Sequence, residues 1–304
     1  MHVSVLLQSV IDGLDLRPGL TVVDGTINGG GHSAAIRPLI PNGHLIGLDR
    51  DASAIERARQ RLSEIDSLGG IEQCRVSLLA GDFRSIDHLV RSIGVTSIDR
   101  LFLDLGLSSN QLAESGRGFS FQTDEPLLMT YESSPSPEQL TAAEVINRWD
   151  EDQLTTVFRD YGDELNAKRF ARAMVTARRL KPIRTTTDLV EIIRHAAPRW
   201  YLKQRRHHAT KVFLALRLVV NDELGSLAQG LAAGFNLLRP GGRIAIITFH
   251  SGEARVVKNF FREQVSQGTA LIINKKAIKP SREEVINNPR ARSATLRIIQ
   301  KNEH

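Results

Sequence analysis

Along the first hundred positions, apolar residues come in short runs divided by polar, glycine-rich breaks, at a spacing that suits strands alternating with helices. The run LTVVDGT over 20–26 ends in Asp-Gly and reads as a buried strand entering a turn. Ser33 to Ile40 opens a helix that Pro41 and Gly43 stop, and HLIGLD over 44–49 is a second strand. Within 52–66, Ala54, Ile55, Ala58, Leu62 and Ile65 fall on one stripe, predicting an amphipathic helix. A third strand (74–82), a helix (84–93) and a fourth strand (99–106) continue the alternation. This is the pattern of a doubly wound parallel sheet, an α/β fold.

The rhythm then breaks. Residues 107–140 are rich in Ser, Gly and Pro, and no strand pattern returns until about 243. The stretches 138–149, 151–160, 164–180, 185–195 and 208–237 read as helix. In 164–180, Phe170, Ala173, Met174, Ala177 and Leu180 share a face, opposite Lys168, Arg172 and Arg179. After Pro240-Gly241-Gly242 a strand (243–250) and a helix (252–265) follow, and 270–274 and 294–300 close the sheet as strands. The expected organisation is one α/β domain, residues 1–107 and 209–304, interrupted by a helical insertion at 108–208.

Composition narrows this picture. Of the 304 residues 41% are hydrophobic and 24% charged, ordinary globular usage that excludes wholesale disorder. No window approaches the ~18 uncharged apolar residues of a membrane span, so no membrane partner is expected. The N-terminal apolar patch lacks a basic leader and does not read as a signal peptide. Cys74 is the only cysteine, which excludes an internal disulfide and any cysteine-cluster metal site. A reducing, cytoplasmic setting and no bound metal are the expectations. The net charge of +6 is unevenly spread: residues 166–217 hold 14 Lys and Arg against Asp188 and Glu191 alone. The rest of the chain is net acidic. A segment of that kind is either a solvated helical surface or the footprint of a polyanion-binding face.

The candidate chemistry begins at Asp24-Gly25-Thr26-Ile27-Asn28-Gly29-Gly30-Gly31-His32-Ser33, between the first strand and the first helix. Three consecutive glycines let backbone approach a ligand, and a helix start offers free N–H groups. The dinucleotide fingerprint G-x-G-x-x-G is absent. Asp24 before the glycines suits a ligand with a positive centre rather than a pyrophosphate. Asp49 ends the second strand, where an acid accepts the hydrogen bonds of a ribose diol. Together these fit S-adenosylmethionine, a sulfonium with ribose and adenine but no phosphate. A Gly-rich turn in another metabolite-binding fold, such as a dehydrogenase, is the competing reading. The third strand ends in Asp82-Phe83, which suits an adenine edge and face, and the fourth in Asp104, where donor and acceptor would meet.

Taken together, HVSVLL (2–7), DGTINGGGHS (24–33), LDRD (48–51), LDLGLSSNQL (103–112), RGFSF (117–121), TFHSGEARVVK (248–258) and NPRARS (288–293) resemble the bacterial MraW family of 16S rRNA (cytosine-N4) methyltransferases. The resemblance covers nearly the whole chain. It implies a class I S-adenosylmethionine-dependent methyltransferase domain, Rossmann-like, with an inserted helical domain for substrate recognition. It implies methylation of a cytosine N4 in the decoding region of the small ribosomal subunit, with 16S rRNA as partner. The cofactor contacts it implies are Gly30, Gly31, His32, Asp49, Phe83, Asp104 and Gln111. Three departures stand out. Glu125-Pro126-Leu127-Leu128-Met129-Thr130 replaces a usual G-P-L-D-M-R, Ala254 stands where Asp is usual, and His207-His208-Ala209-Thr210-Lys211 varies H-P-A-T-R. They fall mostly near the expected acceptor side.

For the reaction, the Asp104 carboxylate and the carbonyls of 105–109 are candidate acceptors for the N4 protons, Asp104 acting by positioning. His250 is a candidate base, or a residue fixing its loop. Candidate RNA contacts are Arg117, the stacking faces Phe119 and Phe121, and the cations Arg172, Arg179, Lys203, Arg205, Arg206 and Lys211, with Arg290 and Arg292 extending the face. Alternatives are an RNA-binding protein that keeps the cofactor but has lost methyl transfer, and a methyltransferase acting on another substrate. The sequence leaves the oligomeric state open, a homodimer among the options.

Overall fold

The computed structural model describes residues 4–67, 74–106, 116–132, 136 and 138–303. It divides into two compact units, Met1–Gly106 with Leu224–His304, and Leu107–Glu223.

The first unit is built on a seven-stranded sheet of order β3-β2-β1-β4-β5-β7-β6. The strands are β1 (Thr21–Asp24), β2 (His44–Asp49), β3 (Arg75–Ala80), β4 (Ile98–Asp104), β5 (Leu238–Thr248), β6 (Ala270–Ile272) and β7 (Thr295–Lys301). The first five run parallel, and β7 pairs antiparallel with both β5 and β6. Because successive side chains point to opposite faces, Val22 enters one hydrophobic core and Val23 the other. Helices cover both faces, so the parallel strands are apolar on both sides, which is why they read as continuous runs. The strand order reverses between β1 and β4, and an open α/β sheet binds ligands at that switch point, beyond the carboxyl ends of its strands. Asp24 closes β1 and Asp104 closes β4 at that position.

The flanking helices of this unit are α1 (Leu7–Leu14), α2 (Gly31–Ile36), α3 (Ala52–Ser67) and α4 (Ile86–Ser92) in its first segment. The N-terminal apolar patch is itself α1, an element the periodicity did not predict. It is eight residues long and buries only Val10 and Leu14, too few for a periodic signal. Gly13 in it faces Ile298, whose Cδ1 would lie 2.2 Å from an added Cβ. Among the described residues no helix is long and apolar enough to cross a membrane.

The second unit is helical: α5 (Ala142–Arg148), α6 (Glu151–Asp160), α7 (Ala167–Arg178), α8 (Thr186–Ala196), α9 (Arg199–Leu202) and α10 (Thr210–Val220). Thr141 and Asp150 cap α5 and α6 with reciprocal capping boxes. Phe158, Phe170, Met174 and Leu189 are fully buried in its core. The expected stripe on 164–180 holds for Phe170 and Met174 but not for Leu180, which is 90% exposed, because α7 ends at Arg178 and the chain leaves the helical register.

Two differences concern the end of this unit. The single helix expected over 208–237 is two, α10 and α11 (Glu223–Leu237), divided at Asn221-Asp222 where Asp222 takes a positive φ of 46°. The return to the sheet unit falls at Leu224 rather than at 209. Val212, Phe213, Ala215 and Leu216 pack into the helical core, so α10 belongs to that unit. The remaining helices of the sheet unit are α12 (Ser251–Ser266) and α13 (Arg282–Asn287).

Candidate active site

The glycine loop is shaped by two close approaches. Gly30 has a φ of +73°, a conformation that L side chains rarely adopt, and an added Cβ would meet the Ala58 Cα of α3 at 3.2 Å. At Gly31 a Cβ would meet the Ser4 hydroxyl at 2.3 Å. Gly29, by contrast, has nothing within 4 Å of a Cβ, so one glycine of the three faces open space.

Three carboxylates close the strands around this loop. Asp24, 1% exposed, accepts from the Ser33 hydroxyl (2.7 Å) and the Thr26 backbone N–H (3.3 Å). Asp49 accepts from the backbone N–H groups of Asn28 (2.9 Å) and Asp51 (3.0 Å). Asp104 accepts from the Gly106 N–H at 3.2 Å, while its own N–H donates to the Thr26 hydroxyl at 2.6 Å. Burial pushes the carboxyl groups of Asp24 and Asp49 up to about 6 and that of Asp104 up to about 7. Neither Asp24 nor Asp104 pairs with a Lys or Arg among the described residues.

His32 is buried beside them. Its Nε2 donates to the Val5 carbonyl at 2.9 Å, and its ring packs against Phe102 with centroids 4.6 Å apart. Burial lowers its pKa, so the neutral ring turns an unprotonated Nδ1 toward Asp104, 3.7 Å from Oδ2. That gap is too long for a hydrogen bond.

The donor set fits an S-adenosyl group. Asp49 takes one N–H on each oxygen, which leaves lone pairs for a ribose diol. The glycine loop is open at Gly29, and the buried carboxyl groups of Asp24 and Asp104, which pair with no Lys or Arg among the described residues, favour a ligand that brings a positive centre. Ser33 and Thr26, which orient Asp24 and Asp104, were not singled out from sequence. Both stand inside the DGTINGGGHS motif, so position was available and only the partner was not.

Other expected contacts lie as follows. Asp82 accepts from the Arg84 N–H at 2.9 Å and lies 3.4 Å from the Arg50 guanidinium, so this acid is partly engaged by its neighbours. Phe83 is half-buried with its ring against Gly230 of α11, where a Cβ would meet ring carbons at 2.5 Å and 2.9 Å. Gln111 and positions 107–109 lie outside the described residues. His250 caps α12: its Nδ1 accepts from the Glu253 N–H at 3.3 Å, and its Nε2 lies 3.1 Å from the Glu253 carboxylate. The structure gives it the loop-fixing role rather than that of a free base. Ala254, half-buried, follows in the first turn of α12. Arg290 and Arg292 are exposed on a short 3-10 turn, Pro289–Ser293.

In the helical unit, Arg117 and Phe119 of RGFSF are buried packing groups, unlike the free RNA contacts expected of them, and Phe121 is half-buried. Arg117 is 7% exposed, donates to the Tyr131 carbonyl and lies over the Phe119 ring. Phe119, also 7% exposed, stacks on Tyr131. Phe121 stacks on His207 at 4.3 Å and meets the edge of Phe213. The altered Leu128 and Thr130 belong to the same loop, where Thr130 is fully buried and Met129 has a positive φ of 56°.

The cations are different. Arg172 is exposed and 3.3 Å from Glu151. Lys211 donates to the Asp163 carbonyl. Lys203, Arg205 and Arg206 are exposed, as is Arg179.

A family model described as "MraW methylase family" matches residues 1–302. Relatives named ribosomal RNA small subunit methyltransferase H are similar over the whole length. The one from Syntrophotalea carbinolica is 41% identical, covering 99% of this chain and 98% of its own. That from Symbiobacterium thermophilum is 40% identical with 99% and 96% covered, and that from Heliobacterium modesticaldum 42% with 99% and 98%. The chain is thus a methyltransferase and belongs to the MraW methylase family.

Proposed function

We propose that this protein methylates N4 of a cytosine in 16S rRNA of the small ribosomal subunit, with S-adenosylmethionine as donor. The observation that carries the reading within the structure is Asp104. Its carboxyl group lies at the sheet's switch point, accepts from the Gly106 N–H and is pushed up to about 7, while its backbone N–H donates to the Thr26 hydroxyl. The names of the full-length relatives support the rRNA substrate.

When bound, the donor supplies an electrophilic methyl carbon on a sulfonium. The cytosine N4 lone pair is delocalised into its ring, so the amine is a weak nucleophile. Holding it in line is the larger part of the task, and positioning of this kind can supply ~7–11 kcal/mol. Asp104 as carboxylate accepts an N4–H hydrogen bond, which concentrates electron density on nitrogen. Its raised pKa also lets it take the proton that N4 must lose. Only the ionised form can do either, so the rate rises as pH increases through about 7. Asp49 would hold the ribose, and the loop from Asn28 to Gly31 would lie along the donor. His32 keeps the wall behind Asp104 apolar and neutral.

The helical unit would act in substrate recognition, its exposed Arg172, Lys203, Arg205 and Arg206 holding phosphates, with Lys211 beside them. The target base must be unstacked to be reached, which favours a single-stranded or splayed site. Such a substrate places the protein in the cytoplasm. The test is methyl transfer from labelled donor to small subunits lacking the modification, followed by nucleoside analysis. Label in N4-methylcytidine is expected. Donor binding without that product overturns the reading in favour of a binding protein or another substrate.

A further inference from the structure

The helical unit exposes an aromatic ring that the cofactor chemistry does not use. Helix α9 is a single turn, Arg-Trp-Tyr-Leu, entered from Pro198. Tyr201 anchors it: its ring is 5% exposed, meets the edge of Phe170 at 5.8 Å, and its hydroxyl donates to the carboxylate of Glu164, itself 2% exposed. Trp200 precedes this anchor and turns the other way, 55% exposed, its ring at 84° to Tyr201 with centroids 5.6 Å apart. An isolated exposed apolar residue needs no explanation. This one is held on a fixed turn among cations.

Arg199, Lys203, Arg205 and Arg206 are all exposed, and none makes an ion pair among the described residues. No acid occurs between Glu191 and Asp222, and Glu191 is engaged by Arg194 at 2.5 Å. A flat indole bordered by unpaired positive charge is suited to a base and its flanking phosphates: base stacking is tolerant of sequence, and cations track the backbone. A protein partner fits less well, since the buried core of a protein interface is depleted in charged residues.

We propose that Trp200 is a stacking platform for an unpaired base of the RNA substrate, with Arg199, Lys203, Arg205 and Arg206 holding the adjoining phosphates. The proposal rests on the reading of the substrate as rRNA and adds a recognition residue to it.

Two measurements test it. The chain has two tryptophans, Trp149 and Trp200, so Trp149→Phe leaves Trp200 as the sole indole emitter. Titration with a mixed-sequence single-stranded oligoribonucleotide should quench that emission along the binding curve. Heparin, a polyanion without bases, should compete for binding without the quench. Binding of the oligonucleotide with no change in emission, or the same change with heparin, overturns the platform. In the methylation assay, Trp200→Ala should raise KM for unmodified small subunits about tenfold, the scale of one lost base stack. The rate at saturating subunit and the donor affinity are kept, and Trp200→Phe recovers most of the loss. An unaltered KM overturns the proposal, as does a defect confined to contact with a ribosomal protein. If the wild type methylates no rRNA, the substrate reading fails, while the quench still reports whether Trp200 stacks on RNA.

Discussion

The two units hold their charge in opposite ways. In the sheet unit, Asp24, Asp49 and Asp104 are gathered at strand ends and buried, with carboxyl groups pushed up by two or more orders of proton affinity over exposed acids. In the helical unit, Arg199, Lys203, Arg205 and Arg206 are spread over the surface, and their pairing is with solvent. A buried charge changes its chemistry with its surroundings, whereas exposed cations act through number and salt-screened attraction. Each buried carboxylate should therefore matter singly, and each surface cation only in part.

The sharpest way to break this contrast is Asp104→Asn. It should lower the methyl-transfer rate by about 10²–10⁴-fold, the range for a positioned proton acceptor. Wild-type activity should climb through pH about 7, and the residual activity of the variant should be flat there. A variant with near wild-type rate would move the chemistry elsewhere.

Phe119→Ala tests the packing side of the helical unit. Its ring is buried, so the loss should appear as ~3–5 kcal/mol of stability, read by denaturant unfolding. A stable variant with weakened RNA binding would instead restore Phe119 as a contact.

Asp49→Ala should weaken donor binding by about 1.5–3 kcal/mol, measured by calorimetry, as expected for hydrogen bonds to a charged group. In the wild type the ionised carboxylate is the better acceptor. Its carboxyl group is held at about 6, so donor affinity should fall as pH drops through that value. Unchanged affinity in the variant would mean the ribose lies elsewhere.

The smallest single effects belong to the cations. Replacing Arg205 or Arg206 by Ala should weaken RNA binding evenly across sequences and reduce the slope of log affinity against log salt by about one for each lost phosphate contact. A loss of tenfold or more with no change in slope would mark a specific contact and erase the contrast.

Much of the sheet unit was legible because its strands are buried on both faces and its ligand groups stand at their ends. Asp24, Asp49 and Asp104 could be located by position alone. The helical unit was less so. RGFSF looks the same in sequence whether its aromatic rings face a base or a neighbour, and only Tyr131, His207 and Phe213 reveal which. His250 reads in sequence either as a base or as a residue fixing its loop, and the structure closes a capping box between it and Glu253. The break at Asp222 escaped a periodicity argument because apolar residues continue on both sides of it.

By itself the sequence determined the order of strands and helices, the glycine loop, the strand-end acids and the basic character of residues 166–217, since each is a matter of local pattern or composition. Tertiary structure decided which of those side chains are free. Burial of Asp104, the packing of Phe119 and the anchoring of the Trp200 turn through Tyr201 on Phe170 and Glu164 depend on neighbours distant in the chain. Contact between residues far apart in sequence leaves no periodic mark on either of them.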